Sequence, residues 1–410
     1  MCWFYTASMV STVTAYTDLR NRATTGSGYD GVVRVSSGGY YGTGVLLYDG
    51  RAVLTAAHLF TANGASATVH FETASGKLDV ASSRVLIDPA YDAANSSSDL
   101  ALVWLSGSAP LAADRYQLYR SSDEIGQTMT LVGYGRPGTG SSGAMASYSG
   151  DQIRQKASNV VDADMSALKY QFGPGMGWTP LPGSQLAADF DDGTVAHDAL
   201  GQLLGLHQTG LGQSEGIITS GDSGGPAFIQ GLVAGVASYS VSLSQGDVKP
   251  DADGVTNSSF GEVAAWQRVS YFQQWLDQSL RAAYTNAPAK PEDVQKRVPE
   301  GNSGTTLTYF LLQFTGVRSS PDQILSVDFA TRDGTAVHGQ DYVAASGTLK
   351  LYPGEVQAVI PVEIIGDAKP EPDEVFYLDV THPVGGTFGP GVVTLTAMRT
   401  ILNDDGGWIA

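Results

Sequence analysis

Ser223 lies in Gly221-Asp222-Ser223-Gly224-Gly225-Pro226, where flanking glycines let the backbone turn sharply and leave its amides uncovered. A serine hydroxyl is a weak nucleophile. It needs a base to take its proton and a third group to orient that base. His58, in Leu54-Thr55-Ala56-Ala57-His58, is the base expected here, and Asp99, in Ser98-Asp99-Leu100-Ala101-Leu102-Val103, is the orienting acid. The N–H groups of Gly221 and Ser223 would then converge on the oxyanion of a tetrahedral intermediate. Glycine, serine and aspartate also make ordinary turns, so it is the conjunction of three motifs that points to acyl transfer.

The elements that must hold these residues are strands. The segment 32–35, the Gly38-Gly39 turn, 44–48, 52–54, 67–71, 84–87 and 100–105 form six short apolar runs separated by turns, and 128–133 begins another set. Val269, Phe272, Trp275, Leu276 and Leu280 recur at helical spacing over 268–283. Prolines 288, 291 and 299 with mixed charge mark a linker, and alternating runs beyond it predict an antiparallel sandwich of about seven strands. At 410 residues the chain is long enough for two or three domains. We expect an N-terminal extension at 1–28, a first domain at 29–285, a linker at 286–292 and a second domain at 293–406.

With 50 glycines, the composition suits turn-rich β domains, and no stretch reaches the ~20 apolar residues of a membrane-spanning helix. A formal charge of −18 without basic patches excludes a nucleic-acid partner. The single cysteine, Cys2, excludes an internal disulfide. Residues 1–10 are apolar but short and lack a basic start, so no export signal is read from them.

The order His58, Asp99, Ser223 with these flanks resembles the trypsin/chymotrypsin-like serine proteases, over roughly 30–283. The resemblance implies an all-β, two-barrel fold with a C-terminal helix, and a secreted endopeptidase acting on protein or peptide substrates with no metal in its chemistry. In that template His58 takes the Ser223 proton while Asp99 fixes the imidazole tautomer; Ser238, Tyr239 and Ser240 would pair with substrate backbone. Ile217, six residues before Ser223, would floor an apolar specificity pocket that disfavours Arg and Lys, with Glu215 close enough to upset this. The chain departs from the family in two ways. It has no basic-Ile-Val-Gly-Gly stretch to supply Asp222 with an amine, and the family's cysteine positions hold Gly42, Leu59 and Thr219, as in a bacterial member.

Further motifs, among them 328–336, 339–342, 352–355, 371–376 and 401–405, resemble a Calx-β domain over 292–406. That resemblance places calcium ligands at Glu300, Asp341, Asp367, Glu371, Asp404 and Asp405, while Asn403 and Gly366 replace two acids of the calcium-rich members. An acidic rim without an ion is the plainer alternative. The run Asp189-Phe190-Asp191-Asp192-Gly193 reads as a solvated turn rather than a cation site. The rival function for the whole chain is a catalytically silent adhesion or binding protein that works through its second domain.

Overall fold

A computed structural model describes residues 10–405, so Cys2 and the start of the expected N-terminal extension lie outside the described residues. The chain divides into two compact units, 1–47 with 51–275, and 48–50 with 276–410.

The first unit opens with a closed barrel of β1 (Val32–Ser37), β2 (Tyr40–Leu46), β3 (Ala52–Thr55), β4 (Thr68–Thr73), β5 (Gly76–Ile87) and β6 (Ala101–Leu105). Its spatial order is β1-β2-β3-β6-β5-β4, closed by pairing of Val35 with Val69. Alternation turns Val33, Val35, Val53, Val69, Phe71 and Val103 inward. Closure leaves no free edge in this half.

The second half is built on β7 (Thr128–Gly133), β8 (Gln155–Val160), β9 (Ala163–Asp164), β10 (Gln185–Asp189), β11 (Pro226–Ile229), β12 (Leu232–Val241) and β13 (Val263–Arg268), ordered β8-β7-β11-β12-β13-β10-β9. It is a seven-stranded sheet whose ladder does not close, so the expected second barrel is a half-barrel. Its core gathers Leu131, Phe190, Ile229 and Trp266. Helix α1 (Met165–Phe172) is capped by the Asp164 carboxylate, α2 (Ala199–Leu204) by that of Asp198, and α3 (Val269–Ala283) carries the expected apolar stripe.

The second unit is a sandwich of seven strands. β14 (Gln295–Pro299), β16 (Leu325–Asp333), β17 (Ser346–Leu351), β19 (Glu374–Val384) and β20 (Leu395–Leu402) form one sheet in the order β14-β20-β19-β16-β17. β15 (Thr305–Gln313) and β18 (Gln357–Ile365) form the other. The ladders are antiparallel except at one edge, where β14 runs parallel to β20. Phe310, Ile360, Phe376 and Leu378 fill the space between the sheets.

Candidate active site

His58 sits in a short 3-10 turn, Ala57–Leu59, where β3 ends, and Asp99 stands just ahead of β6, the strand that pairs with β3. Antiparallel pairing therefore brings the two together. The Asp99 carboxylate takes the His58 backbone N–H at 2.9 Å through Oδ1 and meets Nδ1 at 2.7 Å through Oδ2. This bond leaves Nε2 on the other side of the ring to serve as the base. Burial works against the imidazolium, but the adjacent Asp99 charge and hydrogen bond outweigh it and raise the His58 pKa. Burial also opposes ionisation of Asp99, yet His58 and a hydrogen bond from Ser238 hold its pKa down.

Ser238 donates its hydroxyl to Asp99 Oδ2 at 2.6 Å. The register between β12 and β13 slips at this point: Ala237 faces Trp266 and Tyr239 faces Ala265, leaving Ser238 as the extra residue. A bulge re-aims one side chain, and here it aims Ser238 at the acid. Read from the sequence, Ser238 was a substrate contact; its bond to Asp99 also makes it a positioning residue. Gln267 Nε2 reaches Ser238 Oγ at 3.3 Å and Ser96 O at 2.7 Å, and Gln185 Nε2 reaches Ser96 O at 2.8 Å. These buried amides tie the Asp99 loop to the second half. Nothing in the sequence motifs singled them out.

The loop that carries Ser223 precedes β11. Gly224, at φ 83°, makes a turn that disfavours any side chain. Thr43 holds the loop at two points, its N–H on Ser223 O at 2.8 Å and its Oγ1 on Gly221 O at 2.9 Å. The N–H groups of Asp222, Gly224 and Gly225 bond to Thr219 O, Ala237 O and Asp222 O. Those of Gly221 and Ser223 meet no acceptor among the described residues. Two amides, one on either side of Asp222, are thus left for an incoming oxyanion. The Ser223 hydroxyl makes no hydrogen bond to His58 among the described contacts. A Cβ placed on Gly42 would lie 2.6 Å from both Leu59 Cδ1 and Ser223 O, so the Leu59 side chain packs beside the Ser223 loop.

Asp222 is buried beneath the loop. Its Oδ1 accepts the Gly135 N–H at 2.6 Å and its Oδ2 the Thr219 N–H at 2.8 Å. Backbone amides thus meet the carboxylate for which the sequence offered no partner. Burial nevertheless pushes its pKa up to about 7.

One expected site residue is displaced. Ile217 is 0% exposed and packs in the core cluster that holds Leu131, Ile229 and Trp266. The pairing of 216–217 with Ser11–Thr12 fixes it there, and it presents no face to a substrate side chain. Glu215 is buried too, bound to the amides of Asp191 and Leu211. Tyr239 is half-buried, its hydroxyl between Trp178 Nε1 at 2.9 Å and Gln185 Oε1 at 2.8 Å. Ser240 follows in β12, opposite Ala264.

The second unit gathers its acids in two groups. Glu300, Asp404 and Asp405 offer oxygens within 4.8 Å of one another, as do Asp341, Glu371 and Glu374. Glu374 was missed, although it stands in the quoted 371–376 motif. Asp367 sits close enough to raise the Glu300 pKa, while its own Oδ1 takes the Lys369 N–H at 2.7 Å. Lys369 pairs with Glu371. Burial first, then neighbouring carboxylates, push Glu300 up to about 7. Asp405 Oδ2 is buried without a partner.

Known proteins resemble this chain in parts. Residues 19–174 match the Trypsin family model and 312–405 the Calx-beta domain model. The first match contains His58 and Asp99; Ser223 lies beyond it. The sodium/calcium exchanger Calx of Drosophila melanogaster is 38% identical over 80 residues, covering 20% of this chain and 8% of the exchanger. Human sodium/calcium exchanger 2 is 35% identical over 108 residues, covering 23% of this chain and 12% of its own length. The zebrafish (Danio rerio) adhesion G-protein coupled receptor V1 is 44% identical over 137 residues, 30% of this chain and 2% of the receptor. The chain therefore spans a small fraction of these relatives. A mouse structure, neuropsin, a serine protease, aligns at TM-score 0.44 and 17% identity over 63% of this chain and 98% of its own.

Proposed function

We propose that this chain, a trypsin-like domain followed by a Calx-beta domain, is a serine endopeptidase. The observation that carries the reading is the His58 and Asp99 pair, braced by Ser238, beside a serine loop with two unclaimed amides. In it His58 Nε2 removes the Ser223 proton as Oγ attacks the peptide carbonyl, and the amides of Gly221 and Ser223 hold the oxyanion. The imidazolium, stabilised by Asp99, then protonates the leaving amine. Water, activated in turn by His58, releases the acyl group. An extended substrate fits beside 239–241, since β13 covers one edge of β12 there and the β11 ladder stops at Val236.

Calcium belongs to this reading in the second unit. Oxygen-only ligands at two sites, Glu300 with Asp404 and Asp405, and Asp341 with Glu371 and Glu374, suit a hard cation. The partnerless Asp405 Oδ2 supports that fit. The ion would brace loops; the triad chemistry does not require it.

The test is covalent labelling by a fluorophosphonate probe. Label at Ser223, lost in Ser223→Ala and nearly lost in His58→Ala, is expected. A folded parent protein that takes no label would leave the silent binding-protein reading standing.

A further inference from the structure

Asp189 ends β10, Asp191 follows it, and Asp198 caps α2. All three are buried, although the run 189–193 reads as a solvated turn. Each offers an oxygen, and the three oxygens lie within 4.8 Å of one another. Two oxygens can share a calcium ion at the usual ~2.4 Å only if they are no further apart than about this distance. The decisive group is Asp191. It is 2% exposed, and its Oδ1 is buried with no hydrogen-bond partner. Stranding a carboxylate oxygen in this way is costly unless something absent from the hydrogen-bond network compensates it.

The surroundings supply more acid. Glu215 Oε1 accepts the Asp191 N–H at 2.8 Å, and Asp162 Oδ2 the Asp189 N–H at 3.4 Å. The charges that act on Asp191 are those of Asp189, Glu215, Asp198 and Asp162, every one a carboxylate. Burial first, then this mutual repulsion, drives the Asp162 and Asp191 pKa values strongly upward. Among the described residues, His207 pairs with the cluster, its Nδ1 2.9 Å from Asp198 Oδ2 and its own side chain largely exposed, while His197 pairs with the adjacent Asp192. Asp189 Oδ2 and Asp198 Oδ1 accept the amides of Leu200 and Gly201, which fixes both carboxylates while leaving lone pairs free.

We propose that Asp189, Asp191 and Asp198 bind a calcium ion inside the protease unit, with Asp162 and Glu215 as further acids of the site. Donors that are all oxygen exclude soft metals, and a buried, crowded site suits calcium over magnesium, which keeps its waters. The ion joins the end of β10, the cap of α2 and the segment at Glu215, eight residues before Ser223. Its role is to hold the segment 190–215 against the sheet that carries the Ser223 loop.

The test uses the full chain carrying Ser223→Ala, to prevent self-cleavage, with Asp341→Ala and Asp404→Ala to disable the C-terminal acids. After chelation it is titrated with calcium by calorimetry and counted by native mass spectrometry. At least one bound calcium is expected to remain, and adding Asp191→Asn removes it or weakens it about 10–100-fold, the range for disturbed metal sites. A second readout covers a change in folding. In chelator the Asp191→Asn protein melts above its parent, because an amide avoids the cost of burying or neutralising a carboxylate there, and with calcium the order reverses. Asp198→Asn repeats the loss of binding from another element, and Asp151→Asn, on an exposed loop, leaves it unchanged. The proposal fails if the parent binds no calcium, if Asp191→Asn binds as the parent does, or if magnesium fills the site and calcium does not displace it. None of these outcomes depends on whether Ser223 is a working nucleophile.

Discussion

At the scale of the residue, the hydroxyl of Ser238 does work that a motif does not display. Its 2.6 Å bond to Asp99 helps to keep the acid ionised and aimed at His58. A hydrogen bond to a charged group contributes about 1.5–3 kcal/mol, so Ser238→Ala is expected to lower kcat about tenfold or more while leaving KM within about twofold. Steady-state kinetics on a peptide substrate check this; a change confined to KM would make Ser238 a substrate contact alone. His58 must be neutral to act as base, and Asp99 raises its pKa. kcat/KM should therefore climb with pH through a midpoint above the ordinary imidazole value of about 6.5, and a midpoint below it would mean that burial outweighs Asp99. The pairing of His58 with Asp99 was legible, because each lies in a short, distinctive run. Ser238's bond was not, since a register slip leaves no mark in the alternation of Leu232–Val241. Ile217 misled for the opposite reason: counting back from Ser223 gives a position along the chain, not the direction of a side chain.

At the scale of the element, the loop between β7 and the segment 138–144 bears on the Ser223 turn through Asp222. A Cβ on Gly135 would sit 2.0 Å from Asp222 Oδ2, with no room for the acid to retreat from a buried site. Gly135→Ala is expected to abolish fluorophosphonate labelling while circular dichroism still reports a β fold; normal labelling would show that the turn tolerates a displaced Asp222. Strands of both halves were readable from period-two patterning, and α3 from its 3.6 period. The open ladder of the second half and the parallel edge at β14 were not, because closure and strand direction depend on partners far along the chain. The aspartates after β10 were misread for a related reason. Asp and Gly favour turns locally, but the packing of α2 and Glu215 around them decides their burial.

Buried carboxylates also set how the first unit responds to pH. Burial raises Asp222, Glu215 and Glu262 to about 7 each. In the unfolded chain such groups titrate near 4. The folded state therefore holds their protons more tightly across this window, and stability declines as pH rises from about 4 through 7. Asp99 has the opposite sign: its lowered pKa contributes stability above the unfolded value and loses it only as pH falls through the folded one. The Asp99 window lies below this range, so the raised acids set the sign here, and the Ser223→Ala protein in chelator should melt several degrees higher at pH 5.5 than at pH 8. The reverse order would mean that Asp222, Glu215 and Glu262 do not hold protons in the folded state across this window.

At the scale of the whole molecule, the charge of −18 is not spread evenly in its consequences. Exposed acids are solvated and screened, whereas two groups of three in the second unit hold oxygens within 4.8 Å of one another and repel. Glu300 shows the strain, pushed up to about 7 by burial and by Asp367, Glu371 and Asp405. An ion that binds this folded arrangement and barely the unfolded chain adds roughly 2.7 kcal/mol at a free concentration about 100 times its dissociation constant. Calorimetric melting of the Ser223→Ala chain, with calcium and with chelator, should show the transition of the second unit moving upward with calcium. Adding Asp341→Ala and Asp404→Ala should cancel that movement, since one acid is taken from each group. First-unit substitutions at Asp191 should leave it intact, because no acid of the first unit belongs to either group. If the second unit melts identically in calcium and chelator, its acids are a solvated rim. If its shift survives the double substitution, the ion is held by other oxygens, with Glu371, Glu374 and Asp405 the first to be replaced.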